Sequence, residues 1–138
     1  MTAAIFLDTN VLIYAALTEP EDKRKKVASR KLLARNDAGL SVQVLQEFYV
    51  QATRPTRPNR LSHDVAIGLI EAWTRFTVQA MTLEILMAAL DIKQRHRLSY
   101  WDSAIVAAAL ALGCRELYTE DMQDGLTVDG LRLINPFL

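Results

Sequence analysis

Apolar residues along this chain fall into short solid runs that alternate with longer periodic stretches. AIFL, residues 4–7, is too short for a helix and fits a buried strand. VLIYAAL, residues 11–17, begins a helix with Asn10 near its N-cap. Pro20 opens a basic helix over 20–36, with Glu21 and Asp22 in its first turn. GLS at 39–41 predicts a second short strand. Residues 42–53 predict a helix with Val44, Leu45, Phe48 and Ala52 along one side. TRPTRPNR, residues 53–60, is a connection, because two prolines break both a helix interior and a central strand. Ser62 caps the next helix, striped by Val65, Leu69, Ala72, Trp73 and Phe76. Residues 77–81 predict a third strand. Thr82 then caps a helix striped by Leu83, Leu86, Met87 and Leu90, which ends in KQRHR, a cationic run suited to a helix C-terminus. Ser99 caps an Ala-rich helix that stops at Gly113, and RELY (115–118) and LRLI (131–134) predict the last two strands.

Strands and helices therefore alternate, and no hairpin dipeptide such as Asn-Gly joins two strands. The expected class is α/β: a mostly parallel central sheet of about five strands, flanked by helices on both faces. With 138 residues, no repeat and no low-complexity segment, residues 1–138 are expected to form a single domain. The 51% hydrophobic content is enough for a core without disulfides. The single cysteine, Cys114, gives no disulfide framework and suits a reducing, cytoplasmic setting, where it reads as a small apolar residue after a helix. Residues 1–7 lack the basic start of a signal peptide, and no apolar run reaches the ~20 residues of a membrane span, so no membrane role is expected.

Charge changes this picture. The 16 basic and 16 acidic residues cancel in total but not locally. Lys23, Arg24, Lys25, Lys26, Arg30, Lys31 and Arg35 form one basic group; Arg54, Arg57 and Arg60 a second; Lys93, Arg95 and Arg97 a third. Acids gather at Glu116, Glu120, Asp121, Asp124 and Asp129. Such runs are usually solvated helix faces. They also fit a phosphate-tracking rim around an acidic centre, with Arg54 and Arg57 as candidate substrate contacts.

The sharpest chemical signal is Asp8-Thr9-Asn10, placed between two apolar segments. In an open α/β sheet, ligands bind beyond the carboxyl ends of the strands. Asp8 directly follows the first strand, and Thr119, Glu120 and Asp121 directly follow RELY. Glu47 lies early in the helix after the second strand, and Asp102 in the first turn of the helix that leads into RELY. Each acid alone has a plain structural reading: Asp8 as a turn or cap, Glu47 as a solvated helix residue, Asp102 as half of a capping box with Ser99, Asp121 as a loop acid. Together they converge on one sheet edge. Clustered carboxylates raise one another's pKa, and a hard divalent cation relieves that repulsion. Mg2+ or Mn2+ suits oxygen ligands, with Asp8, Asp102 and Asp121 as candidate metal ligands and Glu47 as a further catalytic acid. Such a site can activate water against a phosphodiester. Thr9, Asn10 and Thr119 are short neutral oxygen carriers that can position ligands or water. His63 and His96 have no zinc spacing and read as ordinary surface histidines.

The segments IFLDTNVLIYA, VLQEFYV, LSYWDSAIVAAA and LYTEDMQDG, closing with LINPF, together resemble a PIN-domain protein, most closely the VapC-type toxins of bacterial toxin–antitoxin modules. The resemblance spans nearly the whole chain. It implies a Mg2+- or Mn2+-dependent endoribonuclease that cleaves cellular RNA, forms homodimers and is inhibited by a cognate antitoxin. Carried over by position, the family's acids fall on Asp8, Glu47, Asp102 and Asp121, with Thr119 as the accompanying hydroxyl. Asp124 stands close enough in sequence to assist or replace Asp121; the family's spacing after Thr119 selects Asp121. Three other readings compete. A haloacid-dehalogenase-like phosphatase requires a second Asp two residues after the first, where this chain has Asn10. A phospho-receiver domain requires an acidic pair after the first strand and a late lysine, and the last lysine here is Lys93. A PIN-fold RNA-binding module without catalysis would not need the full acidic set.

Overall fold

The computed structural model describes residues 2–17 and 19–138. Six strands and six α-helices occur among them: β1 (Ile5–Leu7), α1 (Thr9–Ala16), α2 (Lys23–Leu33), β2 (Ala38–Ser41), α3 (Val42–Ala52), α4 (His63–Trp73), β3 (Thr77–Gln79), α5 (Leu83–His96), α6 (Tyr100–Ala111), β4 (Glu116–Tyr118), β5 (Thr127–Val128) and β6 (Leu131–Ile134). The sheet order is β3-β2-β1-β4-β6-β5. Strands β1 to β4 and β6 run parallel, with Ile5 paired to Ala38 on one side and to Glu116 on the other. β1 is thus internal, and its three residues are completely buried.

The sequence places most of these elements through their caps. The side chains of Ser41, Ser62, Thr82 and Ser99 accept from the backbone N–H of Val44, Val65, Ile85 and Asp102 respectively, satisfying donors that a helix start leaves free. Four expectations change. The expected helix at 20–36 is a 3-10 turn, Pro20–Asp22, followed by α2. The first helix starts at Thr9, not after Asn10, because Asp8 itself caps it, its carboxylate accepting from Thr9 N. A sixth strand is present: β5 runs antiparallel to β6. Asp129 and Gly130, both at positive φ (48° and 89°), make the tight turn between them. Two consecutive left-handed residues match the twist of a hairpin, which Asp-Gly favours.

The fourth change concerns which helix stripe faces inward. On α5, Ile85, Ala89 and Ile92 are buried, while Leu83 is 70% and Met87 59% exposed, with Leu90 also outside. On α4, Ala66 and Trp73 are buried and Val65 and Ala72 are not. Helix α3 buries Val44, Phe48 and Ala52 as the pattern predicts. Phe48 meets Trp73 edge-on at 4.7 Å, which docks α4 on α3. Helix α6 is buried continuously from Ser103 to Ala109, so it is apolar nearly all round. Just past its end, Leu112 presses on β2: a Cβ on Gly39 would stand 2.7 Å from Leu112 Cδ1. None of the described helices is long and apolar enough to cross a membrane.

Candidate functional site

β1 and β4 are hydrogen-bonded neighbours, so the residues after them emerge side by side. Asp8 N donates to Tyr118 O (3.1 Å), continuing the ladder one residue beyond β1. The Asp8 carboxylate is only 3% exposed. Its Oδ1 accepts from Thr9 N (2.7 Å) and its Oδ2 from Thr119 Oγ1 (2.7 Å). Burial pushes this carboxyl up from 3.8 to about 7; the Thr119 and Thr9 hydrogen bonds oppose the rise, and the charges of Asp121 and Glu47 add to it. Asp8 is therefore an acid whose charge the fold alone does not stabilise.

Thr119 Oγ1 is the hub of the loop after β4. Besides donating to Asp8, it accepts from Asp121 N (3.2 Å) and lies 3.4 Å from Asn10 Nδ2. Asn10 Nδ2 also donates to Asp121 Oδ2 (3.2 Å), and Asn10 Oδ1 accepts from Glu120 N (3.3 Å). The Asp121 carboxylate is thus drawn toward Asp8 by residues of α1. Glu47 approaches from α3. Its Oε2 accepts from Thr9 Oγ1 (3.3 Å) and its Oε1 from Gln43 Nε2 (2.9 Å). Asp102 sits half-buried in the first turn of α6. Burial raises its pKa, the Ser99 hydroxyl opposes this, and the Asp121 charge adds to it. All four acids expected from the sequence are thus linked, by charge or through Thr9, Asn10 and Thr119, at the carboxyl edge of the sheet.

Other candidates are engaged elsewhere. Asp124 Oδ1 accepts from Asn135 N (2.7 Å), anchoring the segment after β6. Arg57 Nε donates to Gln51 O (3.0 Å) near the end of α3, whereas Arg54 is exposed beside Glu47. Cys114 is buried, and burial pushes its thiol up to about 12, so it carries no thiolate chemistry. His63 bonds Tyr49 and His96 contacts Arg95, both outside the acid cluster.

Two supports were not foreseen. Gln43 is buried, and its Nε2 donates to both Glu47 Oε1 and Trp101 O (3.1 Å), tying α3 to the turn that carries Asp102. Its position four residues before Glu47, one helical turn away, is the signal that could have revealed it. Glu120 is held by Lys25 and by Tyr14 OH (2.6 Å), with Lys25 also donating to Tyr14 OH (3.2 Å). Burial alone would raise the Glu120 pKa, but these two donors outweigh it and the net direction is down. One cation of the basic helix thus fastens the loop that carries Asp121.

Among the described residues, no three carboxylate, histidine or cysteine groups stand close enough to enclose an ion by themselves. A small hard cation does not require that. Mg2+ keeps several waters and is held through one or two carboxylates. The donor set is all oxygen, and the Asp121 and Glu47 charges act on the buried Asp8 carboxylate, so the residues fit such an ion.

No curated protein matches the chain. Among solved structures, a toxin–antitoxin complex from Klebsiella pneumoniae is similar at TM-score 0.72 and 20% identity, over 98% of both chains. VapC20 of Mycobacterium tuberculosis, a sarcin–ricin loop cleaving toxin, matches at 0.65 and 21%, over 86% of this chain and 92% of its own. The DNA-bound VapBC of Salmonella typhimurium matches at 0.66 and 17%, over 96% and 97%. These likenesses establish the fold. The PIN domain family profile matches residues 5–123, which include every acid of the cluster, and the chain belongs to the PIN domain family.

Proposed function

We propose that this protein is a divalent-metal-dependent endoribonuclease, the toxin of a toxin–antitoxin pair. The observation that carries the reading is the buried Asp8 carboxylate, raised to about 7 and acted on by the charges of Asp121 and Glu47, with Asp102 in turn acted on by Asp121, at the carboxyl edge of a parallel sheet. A purely structural cap has no need of three further acids. The toxin and antitoxin titles of the similar structures support the biological setting.

In this reading Asp8, Asp102 and Asp121 hold Mg2+ or Mn2+. When bound, the cation supplies Lewis-acid stabilisation of the phosphodiester and lowers the pKa of an attacking water. Thr119 keeps Asp8 oriented by donating to Oδ2. Asn10 holds Asp121 on its near side and fixes the loop through Glu120 N. Glu47, whose two oxygens accept from Thr9 and Gln43, is the residue we assign to take the proton of the attacking water. Arg54 lies on the rim where the RNA backbone passes.

The reading includes two protein partners, an antitoxin and a second copy of the chain. The exposed Met81, Leu83, Met87 and Leu90 around α5 support pairing through an apolar face. Light scattering on the wild type and Leu83→Lys tests that part. The central test is cleavage. Purified protein should cut single-stranded RNA in Mg2+ or Mn2+ and stop in EDTA, and Asp8→Asn should be inactive while folded. Cutting that survives chelation, or a fully active Asp8→Asn variant, overturns the proposal.

A further inference from the structure

A groove of about 440 Å³ opens beside Glu47, between α3 and the start of α6. That volume falls within the ~300–1,000 Å³ of small-ligand sites. Its walls include Trp101, Val50, Gln46, Gln51 and Arg54. Trp101 is 64% exposed, an unusual position for the largest apolar side chain. It is not loosely attached. Gln43 holds its carbonyl, and the Tyr100 ring braces it at 78°, with centroids 5.0 Å apart. Val50, also exposed, supplies more apolar wall. Gln46 and Gln51 each offer an amide with both donors and an acceptor. Arg54 forms no ion pair among the described residues and supplies the positive charge.

A flat exposed ring, adaptable amides and one free guanidinium form the set that single-stranded nucleic acid requires. Bases stack on aromatic faces, their edges meet amides, and phosphates meet arginine. Because Glu47 lines the same groove, an occupant lies against the acid cluster. We propose that this groove is a base-stacking subsite. An unpaired RNA base next to the cleaved phosphodiester lies against Trp101, its edge toward Gln46 and Gln51, its phosphate toward Arg54. This rests on the ribonuclease reading and adds to it a named seat, Trp101 with Gln46, Gln51 and Arg54, for the base beside the cut.

Trp101 also provides the probe. The only other tryptophan, Trp73, is 6% exposed, so quenching by a bound base reports Trp101. The wild-type chain is titrated in EDTA at low salt with a short single-stranded RNA, an abasic sugar–phosphate strand of equal length, and an RNA duplex. The single strand should quench emission saturably; the abasic strand and the duplex should not. Trp101→Ala should weaken single-strand binding about 5- to 150-fold, the range for loss of one stacked base, and Trp101→Phe should restore most of it. Arg54→Ala should lower the salt slope of binding by roughly one. Equal affinity for abasic and base-bearing strands, no saturable binding, or undiminished binding by a folded Trp101→Ala variant overturns the subsite. The last result, joined to loss of antitoxin binding, would assign the groove to the protein partner. Wild-type cleavage of RNA in Mg2+, measured separately, keeps the ribonuclease reading standing in each of those cases. Base-dependent quenching without any cleavage would remove that reading instead.

Discussion

Replacing Asp8 with Asn isolates the electrostatic cost built into the site. In the unfolded chain this carboxyl titrates near 3.8, and in the folded metal-free protein near 7. Between those values the folded state binds one more proton than the unfolded state. Stability therefore falls as pH rises through this window, and the loss is complete above pH 7. A shift of that size corresponds to at most about 4 kcal/mol, at about 1.4 kcal/mol per pH unit. Asn has no charge to lose. Its Oδ1 can still accept from Thr9 N, but its amide must face Thr119 Oγ1, which already accepts from Asp121 N. That mismatch costs about 1 kcal/mol. In EDTA at pH 8.5, Asp8→Asn should thus be about 2–3 kcal/mol more stable than wild type. At pH 5 the advantage should shrink to about 0.5 kcal/mol. Urea unfolding of both proteins across pH 5–8.5 measures the difference, and other titrating groups cancel in it. Adding Mg2+ at pH 8.5 should stabilise wild type and leave the variant nearly unchanged. A wild-type-minus-variant difference that does not change with pH, or a variant less stable at pH 8.5, refutes the assignment of the missing charge to Asp8.

Thr119→Val removes the donor to Asp8 Oδ2, so the alkaline loss of stability should move to higher pH; unfolding should show about 1–3 kcal/mol of destabilisation at pH 8. Gln43→Leu leaves Glu47 Oε1 and Trp101 O without their shared donor. Denaturant titration should show a loss of about 1–3 kcal/mol, and single-turnover cleavage should slow more than RNA binding weakens. Gly39→Ala drives a Cβ against Leu112 and Ala3 and should cost about 1–3 kcal/mol by thermal unfolding, with the acid cluster unaffected.

Much of this architecture is readable from local chemistry. AIFL is too short and too apolar to be anything but a strand, RELY is a short run between a helix end and a loop, and Ser62, Thr82 and Ser99 announce helix starts that the structure realises atom for atom. The misreading of α5 has a physical cause. Its residues are apolar on two stripes, and period alone does not say that Ile85, Ala89 and Ile92 face the core while Leu83 and Met87 face out. The Asp129-Gly130 turn escaped because β5 has two residues, too few to show alternation, and its aspartate reads as one more acid in a cluster. Asp8, Thr119 and Asp121 stand where strand ends predict. Arg57 and Asp124 each also meet a backbone group, Gln51 O and Asn135 N, that no spacing reveals. Gln43, Trp101 and Glu120 matter only through contacts made across the fold.

The internal position of β1 has a consequence for biosynthesis. Asp8 and the hydroxyl that orients it are 111 residues apart in the chain. A nascent chain emerging from the ribosome exposes Asp8 early and Glu47 soon after, with β1 lacking the neighbour on one edge that β4 later provides. Until β4 has emerged and paired, neither Thr119 nor Asp121 can reach the first strand. The cluster is thus completed only after β4 has been made. For a protein read as a destroyer of RNA, that order leaves the growing polypeptide inert beside the ribosome and messenger that are making it.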